Sequence, residues 1–312
     1  MAPYAVDTMS RKDLRKCYNR FAFAVMLLFP LSQLTGYGLV LGGSYLLRPW
    51  LSDPDWWQAF LSVVNALSAY VPAAAVFLLL LRRFPRSEKL PVDRLGLWEL
   101  LRVAMLCLGV CLLLNLFTLQ LVNLLSSGVG LEASNRVIEH EKTFSLENQV
   151  IFAVLVPPVC EELLFRRLLL DRLRALGDVS AVFLSALAFA FFHANLYQMF
   201  YAFGLGIIFA VVVLLTGSIR DTILLHMLIN GSTILNSVMA EYPWYSLFYG
   251  LFLSVCMVYA LFYGLHWSRR IHMEPGPLAL SPRDKRRACL GSVWFWLMVF
   301  SSLAISTVII FR

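Results

Sequence analysis

Charge is what this sequence has least of. Its 312 residues include 26 Lys and Arg and 19 Asp and Glu, only 14% of the chain, against 60% hydrophobic residues and a mean hydropathy of +0.73. So few ionisable groups cannot cover the surface of a water-soluble domain of this length, which excludes a soluble enzyme. Cysteine is sparse too, and Cys17, Cys107, Cys111, Cys160, Cys256 and Cys289 are scattered at spacings that suit neither a disulfide framework nor a zinc finger. Internal repeats and low-complexity tracts are absent. The net charge of +7 lies between apolar runs rather than on one face, so it does not mark a nucleic-acid partner.

What the sequence has in abundance is apolar runs. A bilayer core of about 30 Å takes about 20 residues as a helix, because each backbone amide must be satisfied within its own segment. Nine stretches approach that length: 21–47, 60–81, 103–125, 150–170, 179–192, 199–216, 223–239, 245–265 and 293–311. The expected fold is therefore an all-α, polytopic membrane helix bundle of about nine transmembrane helices, eight if the closely spaced fifth to seventh runs are divided differently. The first run is too long for a signal peptide and lacks a small-residue cleavage pattern, so it reads as a retained anchor. Short cytoplasmic loops accumulate Lys and Arg. The flanks of the nine runs alternate in this respect: 22 of the 26 basic residues fall on one parity, including the amino terminus, which is expected to be cytoplasmic. The eight tryptophans, Trp50, Trp56, Trp57, Trp98, Trp244, Trp267, Trp294 and Trp296, fall near run ends, as an interfacial belt requires.

Ionisable residues inside such runs are costly, and each is a candidate for function. The fourth run contains Pro157-Pro158-Val159-Cys160-Glu161-Glu162-Leu163-Leu164-Phe165-Arg166. Helix spacing pairs Glu162 with Arg166, four residues on, and leaves Glu161 about 100° round the helix and free. Arg167, Arg172 and Arg174 read as snorkelling residues at the helix end. The fifth run ends Phe189-Ala190-Phe191-Phe192-His193, and the seventh contains His226-Met227-Leu228-Ile229-Asn230. The other histidines, His140, His266 and His272, lie in loops or at interfaces. A carboxylate, two histidines and an asparagine around a wet cavity are the parts of a hydrolase: a base for water, a group to hold the water, and donors for an oxyanion. Three other arrangements for cutting peptides within a membrane are missing, because the chain has no His-Glu-x-x-His, no Gly-x-Ser-Gly and no Gly-x-Gly-Asp.

With Glu-Glu-x-x-x-Arg at Glu161, Glu162 and Arg166, Phe-x-x-x-His at Phe189 and His193, and His-x-x-x-Asn at His226 and Asn230, the chain resembles the CAAX protease and bacteriocin-processing family of intramembrane glutamic endopeptidases. The resemblance spans about residues 145–242 and divides the chain into amino-terminal helices (1–144), a catalytic core (145–242) and carboxy-terminal helices (243–312). It implies that Glu161 activates water held by His193, that Glu162 and Arg166 brace the site, and that His226 and Asn230 form the oxyanion hole. It implies no cofactor and no obligatory metal, although Glu161, His193 and His226 could bind zinc in principle. The substrate would be a prenylated tail, a small peptide or a membrane protein, reaching the site from the membrane or the cytoplasmic side of a bacterial plasma membrane. A proton-coupled transporter or a non-catalytic immunity protein are the other functions compatible with intramembrane Glu and His. One feature resists the reading. With an ideal rise of about 1.5 Å per residue, the expected depths of Glu161, His193 and His226 do not coincide.

Overall fold

The structure, a computed structural model, describes residues 9–47, 53–84, 87–135, 144–269, 271–278 and 280–311. Trp50, His140 and the greater part of the loop before residue 144 lie outside the described residues. Among those described there is no strand. The helices are α1 (Arg11–Leu46), α2 (Pro54–Leu80), α3 (Leu97–Val129), α4 (Leu146–Leu176), α5 (Asp178–Phe192), α6 (Leu196–Thr216), α7 (Ile219–Met239), α8 (Pro243–Ser268), α9 (Pro282–Leu290) and α10 (Val293–Ile310). Eight of them are long and apolar enough to cross a membrane. The fifth expected span, α5, has 15 residues and is too short to qualify by itself.

Helix α5 tolerates its length because protein covers most of it. Ala181, Leu184, Ser185, Ala186, Ala188, Phe189 and Ala190 are buried against other helices, and Val179 and Phe183 are left exposed along one stripe. Helix α6 is the axis of the bundle and the most buried of the eight long apolar helices. On one side, its Met199, Ala202, Ala210 and Val213 join a core built with α1, α2, α4, α5 and α10. On the other, Leu205, Ile208, Phe209 and Val212 pack with Cys107 of α3, Leu225 and Ile229 of α7, and Cys256 and Ala260 of α8. Gly206 permits the tight contact of α6 with α5, since a Cβ there would stand 2.8 Å from the Cα of Ala186. Lipid is as apolar as these side chains, so the helices cohere through such close packing rather than by exclusion of water.

Hydrogen bonds and an ion pair gather the basic flanks at one end of the bundle. Arg11 pairs with Asp284 at 3.7 Å, the Asp178 amide donates to the Glu274 carbonyl at 2.9 Å, Arg174 donates to the Glu88 carbonyl at 2.8 Å, and the Asp93 amide donates to the Thr216 carbonyl at 2.8 Å. The opposite end is tied by the Ser134 amide to the Ile310 carbonyl at 2.9 Å and by Asn195 Nδ2 to Asn135 Oδ1 at 3.2 Å. The up-and-down alternation expected from the charge pattern is thus present in the fold, α5 included.

Candidate active site

The site begins with a defect in α4. Ser145 caps this helix, its hydroxyl accepting from the Asn148 amide, and the chain then winds as a π-helix over Val150–Leu155, as an α-helix over Val156–Glu161, and again as a π-helix over Glu162–Leu170. Pro157 and Pro158 account for the first change. Neither has an N–H, so the Ala153 carbonyl finds no donor either four or five residues on. The side chain of Asn230 fills that gap, donating from Nδ2 to the Ala153 oxygen at 2.8 Å. Widened turns of this kind re-aim the side chains that follow them, and here those are Glu161 and Glu162.

The two glutamates enter different surroundings. Glu162 is fully buried; its Oε2 lies 3.2 Å from Arg166 Nε, off the N–H direction, and its Oε1 lies 3.3 Å from His226 Nδ1. Arg166 is fully buried as well, its guanidinium carbon 4.5 Å from the centre of the Phe189 ring and 5.5 Å from that of Phe209. Two ring faces thus share the solvation of a cation whose Nη1 and Nη2 have no hydrogen-bond acceptor among the described residues, an arrangement worth about 2 kcal/mol when desolvated. Glu161, by contrast, borders a cavity of about 870 Å³. Its Oε1 accepts the hydroxyl proton of Tyr70 at 3.0 Å, and its Oε2 stands 3.8 Å from His226 Nε2. The sequence reading of Glu161 as free is therefore corrected: α2 supplies it with a hydrogen-bond donor. The Tyr70 ring is held in turn by stacking on Phe192 at 5.9 Å.

His193 arrives by a strained turn. Helix α5 stops at Phe192, Ala194 takes φ of 47°, and Asn195 restarts the chain as the N-cap of α6 by accepting from the Tyr197 amide at 3.0 Å. A left-handed alanine costs about 1 kcal/mol, a strain of the sort concentrated at functional turns. The turn directs His193 onto the cavity wall, with Nδ1 2.8 Å from the Phe189 carbonyl. Because a carbonyl can only accept, Nδ1 carries the proton, which leaves Nε2 of the neutral ring as an acceptor.

Glu161, Glu162, Arg166 and His226 are thus in direct contact, while His193 and Asn230 lie on the wall of the same cavity. His193 joins the cluster through Phe189, whose ring centre is 5.0 Å from that of His193 and 5.9 Å from that of His226. The expected mismatch of depths does not keep these residues apart, because α4 is not an ideal helix: Glu161 meets His226, and His193 lines the same cavity. The sequence reading did not include Tyr70 or Phe209. A tyrosine hydroxyl in the middle of an apolar run, two residues before Pro72, was the available signal for Tyr70; Phe209 gave none. Among the described residues no group of three His, Cys, Asp or Glu is arranged to hold a metal ion. Glu162 and Glu161 approach opposite nitrogens of His226, so they could not share one ion through that ring.

Residues 145–232 match the Rce1-like family model, described as type II CAAX prenyl endopeptidase Rce1-like. The match starts at the cap of α4 and ends in α7, and it holds all six site residues. Over this stretch the chain is similar to that family, as the three motifs imply, and the match lies within a chain that has, among the described residues, eight helices long and apolar enough to cross a membrane. Searches of curated proteins and of solved structures gave no match.

Proposed function

We propose that the chain is an intramembrane glutamic endopeptidase of the CAAX-protease type, in which Glu161 is the base that activates water. The observation that carries this reading is the division of the two neighbouring carboxylates: Glu162 is sealed against Arg166 and His226, and Glu161 alone borders the cavity. In the proposed reaction a water hydrogen-bonded to His193 Nε2 gives a proton to Glu161 Oε2 and attacks the scissile carbonyl carbon. Asn230 spends one amide N–H on Ala153 and has a second for the developing oxyanion. His226 contributes there in a form with a proton on Nε2. Glu161 then returns its proton to the leaving amine as the C–N bond breaks. Arg166 and Glu162 keep the cluster rigid without touching substrate. No metal takes part.

The substrate is a peptide segment that reaches Glu161 through the cavity: a prenylated tail, a small peptide of the bacteriocin kind, or part of a membrane protein. The membrane is proposed to be a bacterial plasma membrane. The test is reconstitution into vesicles with a membrane-peptide library, comparing the unmodified protein with Glu161→Gln, with and without a chelator. Cleavage that resists chelation and vanishes in Glu161→Gln is expected. Unchanged cleavage by Glu161→Gln overturns the glutamic mechanism, and loss of cleavage on chelation requires a metal instead.

A further inference from the structure

Two independent observations bear on the side from which the cavity is reached. One is charge. The five flanks that carry 21 of the 26 Lys and Arg residues, with Arg166 of the site set aside, are tied together at one end of the bundle through Arg11–Asp284, Asp178–Glu274, Arg174–Glu88 and Asp93–Thr216. A bilayer orients that end toward the cytoplasm.

The other is the course of the cavity. Its floor is Glu161, His226 and Tyr70, and its walls lead away from the basic end. The lining residues of α4 run from Glu161 back to Asn148 near the helix start. Those of α6 include Gln198, in its first turn, and those of α7 run from His226 on to Asn230. In every case the progression is toward the end where Asn195 meets Asn135 and Ser134 meets Ile310. Exposure follows the same direction: Glu161 and His226 on the floor are 6% and 4% exposed, whereas Gln33 and Asn65 on the wall are exposed. The wall is polar to mid-height, with Gln33, Asn65, Asn148, Gln149 and Gln198 offering carboxamides that can pair with a peptide main chain.

We infer that the cavity is entered from the non-cytoplasmic side, and that the substrate is a peptide segment presented on that face of the membrane, not a cytoplasmic carboxy-terminal tail. This rests on the peptidase reading for what happens at Glu161, but the direction of access stands on charge and geometry alone. The result departs from cytoplasmic access, which the sequence left open. It also separates this chain's substrate from a prenylated tail made in the cytoplasm: the segment must have crossed the membrane, or belong to a membrane protein exposed on the far side, before it meets Glu161.

The experiment reads accessibility and needs no substrate. Single cysteines are introduced as Asn148→Cys near the mouth, Asn65→Cys part-way down and Arg283→Cys on α9 at the basic end, each in the full chain. Sealed cells are treated with a membrane-impermeant maleimide before or after lysis, and the unmodified protein gives the background from its native cysteines. Expected are labelling of Asn148→Cys and Asn65→Cys in sealed cells at least about tenfold above background, and labelling of Arg283→Cys only after lysis. Asn148→Cys reacting only after lysis, or Asn148→Cys and Asn65→Cys failing to react under either condition, overturns the inference. A chain that labels as expected but cleaves nothing in a Glu161-dependent way would lose the peptidase reading and keep its orientation.

Discussion

Glu161 and Glu162 are neighbours in sequence, yet they belong to two regions with opposite physics. Around Glu162 the protein is dry and closed. The Glu162 carboxylate faces the Arg166 guanidinium and one nitrogen of the His226 ring, the guanidinium lies between Phe189 and Phe209 with its N–H groups unmatched among the described residues, and only the far side of the His226 ring reaches the cavity. Around Glu161 it is open: one oxygen is held by Tyr70 and the other faces His226 across 3.8 Å at the floor of a polar cavity. The same residue type is a brace in one place and a base in the other. The difference comes from a helix that rotates its side chains about 100° per residue and therefore shows consecutive positions to different neighbours.

The largest effect should come from exchanging the two carboxylates for amides one at a time. Glu161→Gln is expected to lower peptide cleavage by about a thousandfold, some 4 kcal/mol, while the melting temperature hardly moves. Glu162→Gln should do the reverse in emphasis, weakening thermal stability measurably and activity as a consequence. Equal losses of activity and equal stability in the two variants would erase the distinction between the regions. Next comes Arg166→Met, which leaves Glu162 as an uncompensated buried charge and should cost about 3–5 kcal/mol in detergent or lipid unfolding. Arg166→Lys should recover little of it, because an ammonium cannot present a flat face to both rings. A stable, active Arg166→Lys would mean that the cation matters only as a charge.

On the open side the matching test is Tyr70→Phe, which keeps the ring stacked on Phe192 and removes the donor to Glu161 Oε1. Without it the two carboxylate oxygens become equivalent, and the base loses its fixed aim. A fall in kcat of about tenfold, about 1.4 kcal/mol, with KM within twofold is expected. In a Glu161→Gln background the same change should have no further effect, which separates positioning of the base from a general loosening of α2.

Much of this was legible from side-chain chemistry placed on regular helices. The all-helical bundle follows from run length, the alternation from Lys and Arg, and the pairing of Glu162 with Arg166 from the four-residue spacing. What could not be read were departures from regularity. An ideal rise put Glu161, His193 and His226 at different depths, because it did not include the π-helical turns of α4. Tyr70 lies 91 residues from Glu161, and Phe209 meets Arg166 across two helices; contacts of that range have no period to betray them. The turn at Ala194 was hidden for a related reason, since nothing in an alanine announces a positive φ.

The smallest predicted effect concerns the irregularity that makes the two regions possible. The Ala153 carbonyl lacks a backbone donor because Pro157 stands where the helical amide would be, and the Asn230 side chain replaces it at 2.8 Å. Asn230→Ala should therefore cost about 1 kcal/mol of stability by leaving a half-buried carbonyl unpaired, apart from anything it does to the oxyanion. Pro157→Ala restores an amide four residues beyond Ala153, so in the double variant most of the lost stability should return, as read by thermal unfolding. Activity should not return with it, because a straightened α4 would carry Glu161 away from Tyr70 and give both glutamates the same surroundings. If stability and cleavage recovered together, the proline pair would have no part in setting the base apart from the brace, and the division between the two regions would have to rest on Arg166 and its aromatic walls alone.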